Sequence, residues 1–186
     1  MELFWEKGYE GAQLTDLTAA MGINPPSFYA AFGSKEAAFR EALQLYEQQM
    51  GGGRIKAFGE DLNTHESIRA VLNHGLEVAL AAPGAGGCMI MLGMINASGN
   101  EPLRDLFQNR RRANLAQIRD RLDKGIRDGD LPPSTDTARL ATFFCAVMQG
   151  ISLQARDGAT REELDDVVTC AMMAIPSSSK TDPGTP

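Results

Sequence analysis

Apolar residues recur at three- and four-residue spacing along most of this chain. Ile68, Val71, Leu72, Gly75, Leu76, Ala79 and Leu80 form one stripe, and Leu164, Val167, Val168, Ala171, Met172 and Ile175 form another. That period places side chains on one face of an α-helix. The second stripe follows Thr160, with Glu163 three residues later, which is the pattern of a capping box. From Leu140 to Leu153 the chain is apolar nearly all round, so a helix there must be buried on several sides. A single domain of this size rarely offers that, whereas a dimer interface does. No run of alternating β-branched residues lies between hairpin turns. The pattern predicts an all-α protein with helices over 1–8, 14–21, 25–32, 35–50, 65–82, 88–97, 102–128, 136–156 and 162–175. Gly51-Gly52-Gly53 marks a junction between a small head, 1–50, and a larger body, 51–176. The polar tail 177–186, with two prolines, is predicted to be disordered.

Composition narrows the class. With 186 residues, 43% hydrophobic and 23% charged, the chain can bury a real core and is not a low-complexity segment. Its apolar stretches are short and interrupted by glycine, so no membrane span is predicted. No basic segment followed by an apolar one opens residues 1–20, so a signal peptide is not expected and a cytoplasmic location is. Cys88, Cys145 and Cys170 are odd in number and widely spaced, which suits free thiols and not a disulfide framework or zinc site. His65 and His74 are the only histidines, and no metalloprotease, nucleophile-elbow or phosphate-loop motif occurs. Neither an enzyme nor a bound cofactor or metal is expected. The net charge is −6, so a whole-chain basic footprint for nucleic acid is absent.

One segment nevertheless has the layout of a DNA reader. Leu17, Ala20 and Met21 form the apolar face of a short helix, and Gly22 ends it where a positive φ is cheap. Asn24 can cap the next helix, and Pro25 suits its first turn. Two short helices joined through glycine make a helix-turn-helix, whose second helix enters the major groove of DNA. A plain helical hairpin in a core is the alternative. Ser34 caps the following helix, and Lys35 sits in its first turn, where the dipole disfavours a cation by up to about 1 kcal/mol. A nearby phosphate would reverse that sign, and the Tyr29 hydroxyl could reach one as well.

The stretch Leu3-Phe4-Trp5-Glu6-Lys7-Gly8-Tyr9-Glu10-Gly11, the segment 14–32, and Phe32-Gly33-Ser34-Lys35-Glu36-Ala37 together resemble the TetR/AcrR family of bacterial transcriptional repressors. The likeness runs nearly without a gap over residues 3–46. Beyond that it rests on layout, with Gly87-Cys88-Met89 and the Gly-Asp-Leu-Pro-Pro stretch at 129–133 the most similar. The resemblance implies a three-helix DNA-binding head and a helical body that dimerises through its last two long helices. It also implies a small effector inside the body that tilts the two heads off double-stranded operator DNA. By position, Asn24, Pro25, Pro26, Ser27 and Ala30 fall on the recognition helix, and Tyr29 and Lys35 on phosphate-contacting positions. Where the family places a hydroxyl cap before its second helix, this chain has Ala12-Gln13, leaving Gln13 as the substitute contact. The chain also opens inside the family's first helix, about two turns or 10 Å in, without the usual basic arm.

In the body, six methionines (Met89, Met91, Met94, Met148, Met172 and Met173) join Phe107, Phe143 and Phe144. Methionine adapts to irregular cavities, so Met91, Met94, Phe107, Phe143 and Met148 are candidates to line a pocket for a small apolar effector. Ordinary core is the competing role for each. Cys88 follows a glycine-rich loop and opens a helix, a position that favours a reactive thiolate and an electrophilic effector. A small buried residue is the alternative there, while Cys145 and Cys170, on apolar helix faces, are expected to be inert. Arg110, Arg111, Arg112, Arg119, Arg121, Lys124 and Arg127, interleaved with Asp105, Asp120, Asp123 and Asp128, read as a solvated, salt-bridged face. By domain, residues 1–50 hold three basic and seven acidic side chains, so the acidity concentrates in the presumed DNA-binding head. Two functions stay open: a repressor released by its effector, and a helical ligand-binding dimer that does not bind DNA in this form.

Overall fold

The computed structural model describes residues 1–59, 61–82, 84, 86–93 and 100–176. Ten helices and no strand occur among the described residues. They are α1 (Glu2–Gly11), α2 (Leu14–Met21), α3 (Pro25–Phe32), α4 (Lys35–Met50), α5 (Gly52–Ala57), α6 (Thr64–Leu80), α7 (Met89–Leu92), α8 (Glu101–Arg127), α9 (Thr137–Arg156) and α10 (Arg161–Met172). Local chemistry sets most of the ends. The Asn24 and Ser34 side chains accept from the backbone N–H of Ser27 (2.9 Å) and Ala37 (3.0 Å). Asn63 with Glu66 and Thr160 with Glu163 form complete capping boxes. Gly22 closes α2 in the left-handed region, φ 66°.

Three elements differ from the sequence pattern. Helix α1 runs on to Gly11 across a kink at Gly8. Helix α7 closes at Leu92, and Gly93 after it is extended. The tail 177–186 and residues 94–99 lie outside the described residues. At the glycine junction the chain does not run as an open linker but forms the short helix α5. Gly53 lies so close to the His74 ring that a Cβ would overlap it, so the glycine lets α5 sit directly on α6.

Two apolar cores result. The body core is built on Leu72, Leu76, Ile118, Leu122, Phe144 and Leu164, all fully buried. The head core is aromatic: Phe4 packs edge-on against Phe39 (4.9 Å between centroids), and Trp5 against Tyr46 (4.8 Å). It does not stop at the head. Val78, Met89, Ile90, Leu103 and Phe107 of the body belong to the same cluster, and Phe107 lies 5.8 Å from Phe39. Head and body therefore share one apolar seam.

The basic run on α8 splits into two environments. Arg119 and Lys124 pair with Asp123 and Asp128 at the surface. Arg121 instead is 6% exposed and donates to the Thr64 hydroxyl (2.8 Å) and the Leu62 carbonyl (2.7 Å). Arg111 is half-buried and donates to the carbonyls of Ile90 and Gly93, fixing the end of α7. A helix of 27 residues wrapped by neighbours buries part of any face, so charge spacing alone misassigns these two.

Asp130 completes the Arg121 cluster, accepting from the Thr64 N–H and hydroxyl, both at 2.8 Å. Those two hydrogen bonds, helped by Arg121, hold its carboxyl below the usual range. A lowered folded-state pKa stabilises the protein above the unfolded value and the effect is lost as pH falls. Asp130→Ala is expected to lose about 1–3 kcal/mol of stability at pH 7. Urea titrations of both proteins should show the gap closing below about pH 4. A gap that does not narrow at all as pH falls below about 4 would mean the loss is packing and not charge.

Candidate nucleic-acid interface and effector cavity

The helix-turn-helix is formed by α2 and α3, held together by buried Leu17 and Phe28. Phe28 points inward, so its neighbours on α3 point out: Asn24, Pro25, Pro26, Ser27, Tyr29 and Ala30 are all exposed. Tyr29 is 49% exposed and braced edge-on by Phe28. Pro25 and Pro26 occupy the first helical positions and carry no N–H. The start of α3 thus offers few backbone donors to a phosphate, and its contacts must come from side chains.

Lys35 lies at the first position of α4, with its Nζ 4.7 Å from the centre of the Tyr9 ring. The other two cations of the head are engaged with carboxylates. Lys7 pairs with Asp16 at 2.8 Å, a hydrogen bond that raises the lysine pKa and lowers that of the aspartate. Arg40 pairs with Glu36 at 2.8 Å. Gln13 is exposed at the N-cap of α2 but supplies no side-chain cap; its amide donates to the Glu10 carbonyl instead. That bond stabilises the turn between α1 and α2, and at the start of α2 the Asp16 carboxylate accepts from the Gln13 backbone N–H.

Behind the head lies a cavity of about 120 Å³. Helix α4 contributes Tyr46, Glu47 and Met50, and α6 contributes His74, Gly75 and Val78. Cys88, Ile90 and Met91 close one side, and Asn114 and Met148 the rest. Of the pocket candidates, Cys88, Met91 and Met148 meet here. Phe107 does not: it is 0% exposed and lines a smaller cavity of about 60 Å³ with Phe4, Trp5 and Phe39. Phe143 is 41% exposed on the outer face of α9, away from both cavities. Consecutive helical residues are about 100° apart around the axis, which is enough to leave Phe143 outside while Phe144 is core. Met94 lies outside the described residues.

Sequence reasoning missed Tyr46, Glu47, His74, Val78, Ile90 and Asn114. The signal for Tyr46 was present, since Phe39, Ala42, Leu43 and Tyr46 form one buried stripe along α4. Assigning all of α4 to the head hid the fact that its last turns face the body.

Cys88 stands between the two cavities. Its Sγ lies 3.1 Å from the Tyr46 hydroxyl, and its N–H donates to the Ser152 hydroxyl of α9 at 3.1 Å. The helix it opens has four residues, a single turn with little aligned dipole. The Trp5 indole donates to the Gly87 carbonyl beside it at 2.7 Å. Arg110 on α8 pairs with Glu47 on α4 at 2.7 Å. The head is thus tied to the cavity wall through both α1 and α4. Cys145 is buried, which pushes its thiol pKa up to about 11, and Cys170 is exposed on α10.

On the far side of α9, Phe143 and Leu153 are exposed (41% and 51%), with exposed Ala146 and half-buried Val147 and Gly150 between them. Exposed Met173 follows α10. Among the described residues no helix is long and apolar enough to cross a membrane.

Comparison with known proteins agrees with this architecture. The family model of the bacterial regulatory proteins, tetR family, matches residues 1–42, and that of the tetracyclin repressor-like C-terminal domain matches 64–171. The HTH-type transcriptional repressors ComR and BdcR of Escherichia coli (strain K12) are 26% and 29% identical over 97% and 93% of this chain, and over 87% and 83% of their own. A solved structure of a cysteine mutant of the TetR family transcriptional regulator CifR, complexed with 26-base-pair double-strand operator DNA, matches with a TM-score of 0.88. It is 40% identical, over 94% of this chain and 92% of that one. This chain belongs to the TetR family of bacterial regulatory proteins.

Proposed function

We propose that the protein is a transcriptional repressor that binds a palindromic operator as a homodimer and leaves it when a small molecule enters the cavity behind the head. One observation carries the effector step: α4 belongs to both sites. Its first turns hold Phe39 in the head core, and its last turn lends Tyr46 and Met50 to the cavity wall. A helix of 16 residues is a rod of about 24 Å, so a push at one end is felt at the other. The exposed side chains of α3 read the major groove, and Tyr29 and Lys35 hold the backbone. The two α3 helices of the dimer then address half-sites about 34–36 Å apart.

Gel shifts with the upstream intergenic DNA of the gene test this reading. The expected result is a complex that competitor DNA of unrelated sequence does not displace; no complex at low salt would overturn it. Among the described residues Lys35 is the head cation with no carboxylate partner, so few phosphates are neutralised. Lys35→Ala should weaken binding to every sequence alike and flatten the salt dependence by about one logarithmic unit per head. A loss confined to one operator sequence would move Lys35 from the backbone to a base.

A further inference from the structure

We infer that the cavity behind α4 selects a compact, neutral, mostly apolar molecule with hydrogen-bonding capacity, and that Gly75 keeps the space for it. The inference rests on the repressor reading and names the class of its effector. Size comes first. A cavity of about 120 Å³ is far below the several hundred Å³ of a pocket for a drug-sized ligand. An engineered protein cavity of about 150 Å³ takes benzene, so the occupant here is on the order of a single six-membered ring.

Charge comes second. Among the described side chains no lysine or arginine lines the cavity. Its one carboxylate, Glu47, is already paired with Arg110. An anion would therefore be desolvated with no lysine or arginine among those side chains to meet it, and a cation would have to compete with an arginine. The hydrogen-bonding groups of the wall are the Tyr46 hydroxyl with its Cys88 contact, His74 and Asn114, set among the apolar side chains of Val78, Ile90, Met91 and Met148.

Gly75 supplies the third observation. It sits inside α6, where glycine weakens a helix relative to alanine. Its backbone is ordinary helix, and a Cβ built on it would meet only the Met148 side chain at 3.5 Å, a normal contact. Neither conformation nor packing requires glycine at this position. The missing side chain enlarges the cavity, and the occupant uses that room.

Calorimetry on the DNA-free protein tests the inference with phenol as the neutral probe, benzoate and benzylammonium as charged probes of similar size, and 9-phenanthrol as an oversized one. Phenol should bind at least tenfold more tightly than either ion and than the tricyclic alcohol. Gly75→Ala should raise Tm by about 2–4 °C, which shows that the variant folds, and weaken phenol about tenfold. Equal binding of the ions or of 9-phenanthrol, or unchanged phenol affinity in the Gly75→Ala variant, would overturn the inference. The operator complex is measured separately. A protein that binds its operator but none of the small neutral probes refutes the effector class alone, whereas one that binds phenol but no operator refutes the repressor reading alone.

Discussion

Leu153→Glu is expected to leave the protein folded but monomeric, with operator affinity lowered by at least a hundredfold. Leu153 is 51% exposed, so a charge there costs the isolated chain no more than about 0.5 kcal/mol. In a dimer built on α9 the same position is buried against its symmetry mate, and a twofold axis would bring two carboxylates into one apolar face. Phe143, the adjacent pair Ala146 and Val147, Gly150 and Leu153 recur at three- and four-residue spacing, a continuous apolar strip with small residues at its centre. Such a dimer would link two heads, and linkage of this kind multiplies affinity by about 10²–10⁴. Sedimentation velocity and gel shift on the same sample check both halves. A variant that stays dimeric would place the interface elsewhere; a monomer that still holds the operator at wild-type affinity would show that one head suffices.

Phe107→Ala should be the most damaging single truncation at the seam between head and body. The ring is fully buried and touches the head through Phe39, and it also walls the cavity beside Trp5. Removing a buried phenylalanine costs about 3–5 kcal/mol, a large part of the stability of a domain this size. Because the ring joins two halves, the loss should also separate them. Chemical denaturation is expected to move from one transition to two, with the near-ultraviolet signal of Trp5, the sole tryptophan, lost first. A single transition shifted by less than about 1 kcal/mol would show that the head is held mainly by its polar ties, the Trp5–Gly87 and Arg110–Glu47 contacts.

Much of the architecture was legible before any coordinate. The stripes on α6 and α10, the caps at Asn24, Ser34 and Thr160, the left-handed stop at Gly22 and the exposed row on α3 all depend on residues three or four apart. Such relations are written in the order of the chain. The acidity of the head was equally plain, and the structure sharpens it: two of the three cations are occupied by Asp16 and Glu36.

What a residue faces across the fold was not legible. Apolar spacing placed Phe107 and Phe143 in a pocket with Met91 and Met148, and nothing local distinguishes the four. Tertiary packing sent Phe107 to the seam and Phe143 to the outer face. Charge spacing set Arg121 in water, whereas Leu62 and Thr64, almost 60 positions earlier, draw it inside. Tyr46 reads in sequence as one more head residue, yet it lines the same cavity as His74, Gly75 and Val78 of α6. Helix formation is decided by neighbours along the chain, so the sequence by itself determines the helices and the type of head. The cavity is the gap left where α4, α6, α7, α8 and α9 converge, and its size, neutrality and hold on the head exist only once those distant segments are packed together.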